Sequence, residues 1–118
     1  MRALSTFSKV YLSRDARDFR KGIDGLVAIV EGEMRLDPAQ SYIFGFTNRR
    51  RDKVKLLYWD KTGYAIWFKR LEAHKFHWPK KNEADVVALS PQKLEWLLGG
   101  LDISRMRPHE ELSYAANF

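Results

Sequence analysis

Arg49, Arg50 and Arg51 stand side by side, and Lys53 and Lys55 follow at alternate positions. Guanidinium and ammonium groups at this density suit a partner with regularly spaced negative charges, and the phosphates of a nucleic acid are the obvious one. Lys69, Arg70 and Lys75 extend the series. Residues 48–81 hold eleven basic and three acidic residues, a net +8 within a chain of net +6. The flanks carry +1 (residues 1–47) and −3 (residues 82–118). Positive charge confined to one stretch is what a segment facing a polyanion requires. The plain alternative for the triple arginine is a solvated turn whose charges aid solubility. Arg20 and Lys21 form a smaller basic pair ahead of a predicted helix, where backbone N–H groups also suit phosphate. Surface ion pairs with Asp15, Asp18 or Asp24 would account for that pair equally well.

Other chemistries find less support. His74 and His77 form an H-x-x-H pair, but on a strand or turn such residues point to opposite faces, and His109 is remote. The chain has no cysteine, which excludes disulfides and thiolate metal sites. Metal-dependent phosphoryl transfer needs carboxylates converging on two ions. Asp24, Asp52, Asp60 and Glu72 are present, but nothing in their spacing makes a site, and Asp60 has a sufficient role in a turn. No P-loop or nucleophile motif occurs. No catalytic residue, metal or cofactor is therefore expected. No apolar run approaches the ~18 residues of a membrane span, and the N-terminus lacks a secretory signal, so a cytoplasmic location without membrane contact is expected.

The elements that must position the basic residues are legible as periodicities. Lys9–Leu12 reads as a strand. Ile23, Leu26, Val27, Val30 and Met34 share one helical face, with Asp15 or Asp18 as a cap and Asp37-Pro38 as a stop. Three alternating runs follow: Tyr42–Phe46, Lys53–Trp59 and Tyr64–Lys69. Asn48–Asp52 forms a mobile, charged turn, and Asp60–Gly63 a tighter one of type I with Gly63 suited to positive φ. Lys75–Trp78 and Val86–Leu89 read as further short strands. Ser90-Pro91 opens a helix with Leu94, Leu97, Leu98 and Leu101 on one face, and Gly99-Gly100 ends it. The expected fold is α+β: a single domain over residues 1–103, an antiparallel β-meander of four to six strands packed with two main helices around one shared core. Residues 104–118 form a C-terminal tail, loosely docked or extended. Pairing of the second and third runs would bring Lys53, Lys55 and Lys69 to one sheet face, with Trp59 and Trp67 covering the core.

Three blocks carry a family resemblance: DFRKGIDGL (Asp18–Leu26), NRRRDKVKLLYWDKTGYAIWFKRLE (Asn48–Glu72) with FHWP (Phe76–Pro79), and LSPQKLEWLLGGLDI (Leu89–Ile103). In order and spacing the chain resembles the small accessory protein encoded beside the transposase in the insertion sequence sixty-six family of bacterial mobile elements. That protein is called TnpB of the family, or its second-open-reading-frame protein, and differs from the RNA-guided nuclease sharing the label. The resemblance implies a non-catalytic accessory role in transposition. DNA is the expected partner, contacted through Arg49, Arg50, Arg51, Lys53, Lys55, Lys69, Arg70, Lys75, Arg20 and Lys21. The alternative is an adaptor that docks on the co-encoded transposase without touching DNA, motivated by the aromatic sheet and the acidic C-terminal third. The sequence leaves the oligomeric state open.

Overall fold

A computed structural model describes residues 3–80 and 84–105. After a short 3₁₀ turn at Leu4–Thr6, the elements run β1 (Lys9–Ser13), α1 (Ile23–Gly32), β2 (Tyr42–Thr47), β3 (Lys53–Asp60), β4 (Gly63–Arg70), β5 (Val86–Leu89) and α2 (Pro91–Leu98), with a second 3₁₀ turn at Ile103–Arg105. The strands form one five-stranded sheet in the order β4-β3-β2-β1-β5.

The fold is α+β, but the sheet is mixed and not a pure meander. β1 and β2 pair in parallel, with Lys9 opposite Tyr42 and Leu12 opposite Gly45, whereas the other three pairings are antiparallel. The connection through α1 is a crossover, which returns the chain in the direction it left. Alternation of side chains is the same in both kinds of pairing and does not announce the difference.

The core is likewise double where one was expected. Val10, Leu12, Ile43, Val54 and Leu56 face one side, packed with Leu94, Leu97 and Leu98 of α2 and with Phe7, Phe76 and Trp78. Phe44, Phe46 and Leu57 face the other side, under Leu26, Ile29 and Val30 of α1. Successive residues of a strand point to opposite faces, so the central strands feed both layers. β2 is buried on both faces for that reason. Gly45 lies where the β1–β2 pair is tightest: an added Cβ would fall 2.5 Å from Leu12 Cδ2.

Boundaries and caps differ in detail from the expectation. α1 stops at Gly32, where Arg35 with φ 57° turns the chain and Leu36 N–H reaches the Val30 carbonyl at 3.0 Å. Its N-cap is Gly22, without a side-chain cap: Asp18, four residues upstream, is engaged by Arg20, and Asp15 pairs with Arg14. The β3–β4 turn takes its left-handed residue at Lys61 (φ 58°), and Gly63 is not in that region. Lys75–Trp78 is not a strand: Phe76 and Trp78 are inserted into the α2-side core from a loop whose backbone joins no sheet ladder. α2 starts and stops as its sequence indicates, but Leu101, expected on its apolar face, lies beyond the helix and is 47% exposed. Ser90 Oγ accepts from Lys93 N–H at 3.1 Å, and Gly100 (φ 96°) closes the helix as Leu101 N–H reaches the Trp96 carbonyl at 3.0 Å. Trp67 packs half-buried on the α2-side core, and Trp59, also half-buried, meets Tyr64 edge-on at 4.9 Å between ring centroids. Most of the expected tail, with His109, Glu110 and Glu111, lies outside the described residues, as do Lys81 and Glu83.

Candidate nucleic-acid interface

The β2–β3 turn is wired in place, contrary to the mobile tip expected. Asn48 Oδ1 accepts from the N–H groups of Asp52 and Lys53, each at 3.1 Å, and its Nδ2 donates to Asp52 Oδ1 at 2.7 Å. Thr47 Oγ1 donates to the Lys53 carbonyl at 2.9 Å. Arg51 takes a left-handed conformation (φ 62°), and its carbonyl accepts from Phe76 N–H at 2.8 Å. Leu71 N–H donates to the Asp52 carbonyl at 2.8 Å. The turn and the 71–80 loop are thus bound to each other, and the inserted rings of Phe76 and Trp78 fix that loop to the core.

Between them and the C-terminal end of α2 lies a groove of about 850 Å³. Arg49, Arg51, Lys69, Lys75 and Lys80 line it, together with His74 and His77, and no carboxylate does among the described residues. Lys69 spends its ammonium on the Leu98 carbonyl at 3.0 Å, at the negative end of α2. Arg49, Lys75 and Lys80 stand exposed at the rim. Arg51 Nη1 is buried with no hydrogen-bond partner among the described residues.

The remaining sequence candidates lie elsewhere. Lys53 pairs with Arg70 and Lys55 with Phe68, so Lys53 and Lys55 belong to the α1 face while Lys69, opposite Val54, belongs to the α2 face. The single lysine face expected from the hairpin is corrected accordingly. Lys55 Nζ donates to the carbonyls of Phe19 and Lys21, both at 2.9 Å, and lies 4.9 Å from the Phe19 ring centre. It anchors the loop before α1. Arg20 is paired with Asp18 at 2.8 Å, and Arg70 with Glu72 at 3.0 Å. Arg50 is exposed at the turn, and Lys21 is exposed beside α1. Four of the ten sequence candidates therefore meet in the groove, and Lys80, His74 and His77 join them. The histidines meet there because the loop is irregular, with His74 at φ 72°. Among the described residues, no group of three or more His, Cys, Asp or Glu side chains could hold a metal ion.

Several aspartates, Asp18, Asp52 and Asp102 among them, are held in their charged form. Hydrogen bonding from Arg20 keeps Asp18 well below its ordinary value, the Asn48 amide lowers Asp52, and the Ser104 hydroxyl lowers Asp102. A group whose folded pKa is depressed stabilises the fold above its unfolded value, near 3.8, and that contribution is lost as pH falls through the folded pKa. The urea midpoint should be flat between about pH 7 and pH 5 and fall below about pH 4. A midpoint unchanged at about pH 2.5 would show that these contacts contribute nothing.

The family model described as IS66 Orf2 like protein matches residues 8–108. The chain belongs to the IS66 Orf2-like family. Membership ties it to an insertion-sequence element and its transposition. It is 33% identical over 99 residues to an uncharacterized protein, y4jC, of Sinorhizobium fredii, covering 84% of each chain. It is 31% identical over 94 residues to a second one, y4hO, of the same organism, covering 80% of this chain and 81% of that protein. No solved structure matches. In this IS66 Orf2-like chain the match includes the β2–β3 turn, the 71–80 loop and α2, which are the three walls of the groove. No helix among the described residues is long and apolar enough to cross a membrane.

Proposed function

We propose that this protein is a non-catalytic accessory factor of transposition that holds DNA by its phosphates in the groove between the 71–80 loop and α2. The observation that carries the reading is the lining itself: among the described residues, five cationic side chains and two imidazoles surround the recess and no carboxylate does. Charge of one sign in a recess with low-dielectric walls concentrates the field and draws in polyanions. Phosphate contacts fix position but carry no base information, so discrimination between sequences is weak. The test is DNA binding as a function of salt, with a duplex bearing single-stranded overhangs as the probe. With four or five phosphates neutralised, log affinity should fall with a slope of about −4 per log unit of salt. A slope near zero, or no binding at low salt, overturns the reading.

The adaptor reading draws on a different observation. β4 is an edge strand, and its Phe68 is 50% exposed. An open strand edge with an exposed ring suits a protein partner, here the co-encoded transposase. An adaptor using that edge keeps its grip on the transposase when Arg49, Arg50 and Arg51 become alanine. Pull-down with and without DNA separates the two readings.

A further inference from the structure

We infer that the nucleic acid taken by the groove is a single strand and not a duplex; the inference rests on the reading of the groove as a phosphate-binding site. Size is the first argument. A recess of about 850 Å³ has an edge on the order of 10 Å, whereas the major groove of a duplex alone is about 12 Å wide. A duplex therefore meets only the rim, and the interior of the recess, with Lys69 and Arg51 in its lining, is left to a thinner ligand.

Continuity is the second argument. A neighbouring recess of about 520 Å³ shares His77, Trp78 and Lys80 with the first and adds Lys93 and Arg105. Its one carboxylate among the described residues, Asp102, is engaged by the Ser104 hydroxyl at 2.6 Å and by Arg105 Nε at 3.5 Å, so Lys93 is the unpaired cation it adds among the described residues. The two recesses lie side by side across these shared residues, at a bend that a flexible strand follows and a stiff duplex does not.

The placement of the β2–β3 hairpin is the third. A β-hairpin that reads duplex DNA must project into the major groove. Here the β2–β3 turn is tied back to the 71–80 loop through the Arg51 carbonyl and forms a wall. The chemistry of the lining then sets the mode of binding. Single-strand binders usually combine a basic groove with aromatic platforms for the bases. Phe76 and Trp78 each expose 3% of their surface, so neither ring is offered to a base. The rings exposed along the recesses are the imidazoles of His74 and His77. The strand is held by its phosphates, with these two rings as the base contacts available.

The experiment compares fluorescence anisotropy of a labelled single-stranded DNA, its blunt duplex and the RNA strand of the same sequence, using the full chain at one ionic strength. The single strands should bind about ten-fold or more tightly than the duplex, DNA and RNA alike, because the shared phosphate chemistry decides. Lys93→Ala, which removes a cation from the second recess alone, should lower single-strand affinity about five-fold and leave duplex binding and the urea midpoint nearly unchanged. Equal or tighter duplex binding, or a variant that loses both forms equally, overturns the inference while leaving phosphate binding intact. Failure of every form to bind at low salt removes the proposed function as well.

Discussion

Replacing Arg49, Lys75 and Lys80 together by alanine is expected to weaken DNA binding by more than about ten-fold at low salt and to reduce the steepness of its salt dependence by about three. All three line the groove, and all three are exposed. None holds the fold together as Lys69 does through the Leu98 carbonyl, so stability should change by less than about 0.5 kcal/mol. The informative comparison is a second triple variant, Arg20, Lys21 and Lys53 to alanine. It removes the same formal charge from the α1 face, where Lys55 bonds the Lys21 carbonyl and Lys53 lies opposite Arg70. A diffuse field from the chain's net +6 would respond equally to both. A local footprint responds to the first alone. Anisotropy titrations at three salt concentrations decide the matter, and equal losses in the two variants would remove the groove from the account.

That comparison turns on a point the sequence held in a form easily misread. The β3 and β4 alternations were plain, and so were β5, the Ser90-Pro91 start of α2 and its glycine stop. The facing of the two arms depends on the turn between them. A two-residue turn at Lys61-Thr62 pairs Asp60 with Gly63, and counting outward sets Lys53 against Arg70 and Lys69 against Val54. Read that way, the lysines divide between faces before any coordinates are seen. The parallel β1–β2 pairing had no comparable local sign, because strand alternation carries no direction. The groove was hidden for a third reason. It exists only because residues 71–80 fold back on the β2–β3 turn, with Phe76 N–H bonded to the Arg51 carbonyl. Phe76 and Trp78 alternate like strand residues, and both do point inward. Their backbone is held by a turn and not by a neighbouring strand, which periodicity alone does not distinguish. Lys80 lies inside the +8 stretch with no periodicity to single it out, and the H-x-x-H spacing of His74 and His77 suggests metal ligation more readily than a place in a basic groove.

The 71–80 loop also sets the expected result for the core. Trp78→Ala should destabilise the protein by about 3–5 kcal/mol, a large share of the 5–15 kcal/mol that separates a typical domain from its unfolded state. The indole is 3% exposed and sits in the α2-side core with Phe7, Val10 and Leu12. Its Nε1 donates to the Ser13 carbonyl at 2.9 Å, which joins the loop to the end of β1. Alanine opens a cavity and leaves a carbonyl without its donor, and both effects act in the same direction. Trp78→Phe separates them. It retains much of the ring volume and loses the N–H, and the expected cost is smaller, about 1–3 kcal/mol. Because the same indole underlies both recesses, the pair of variants also tests how the groove is built. If the loop is held by packing, Trp78→Phe keeps nucleic-acid affinity within about two-fold of the parent, while Trp78→Ala loses it together with the fold. Urea unfolding followed beside anisotropy reads both quantities. A Trp78→Ala protein within about 1 kcal/mol of the parent would mean that the loop is not anchored through this ring, and the groove wall would then need another support.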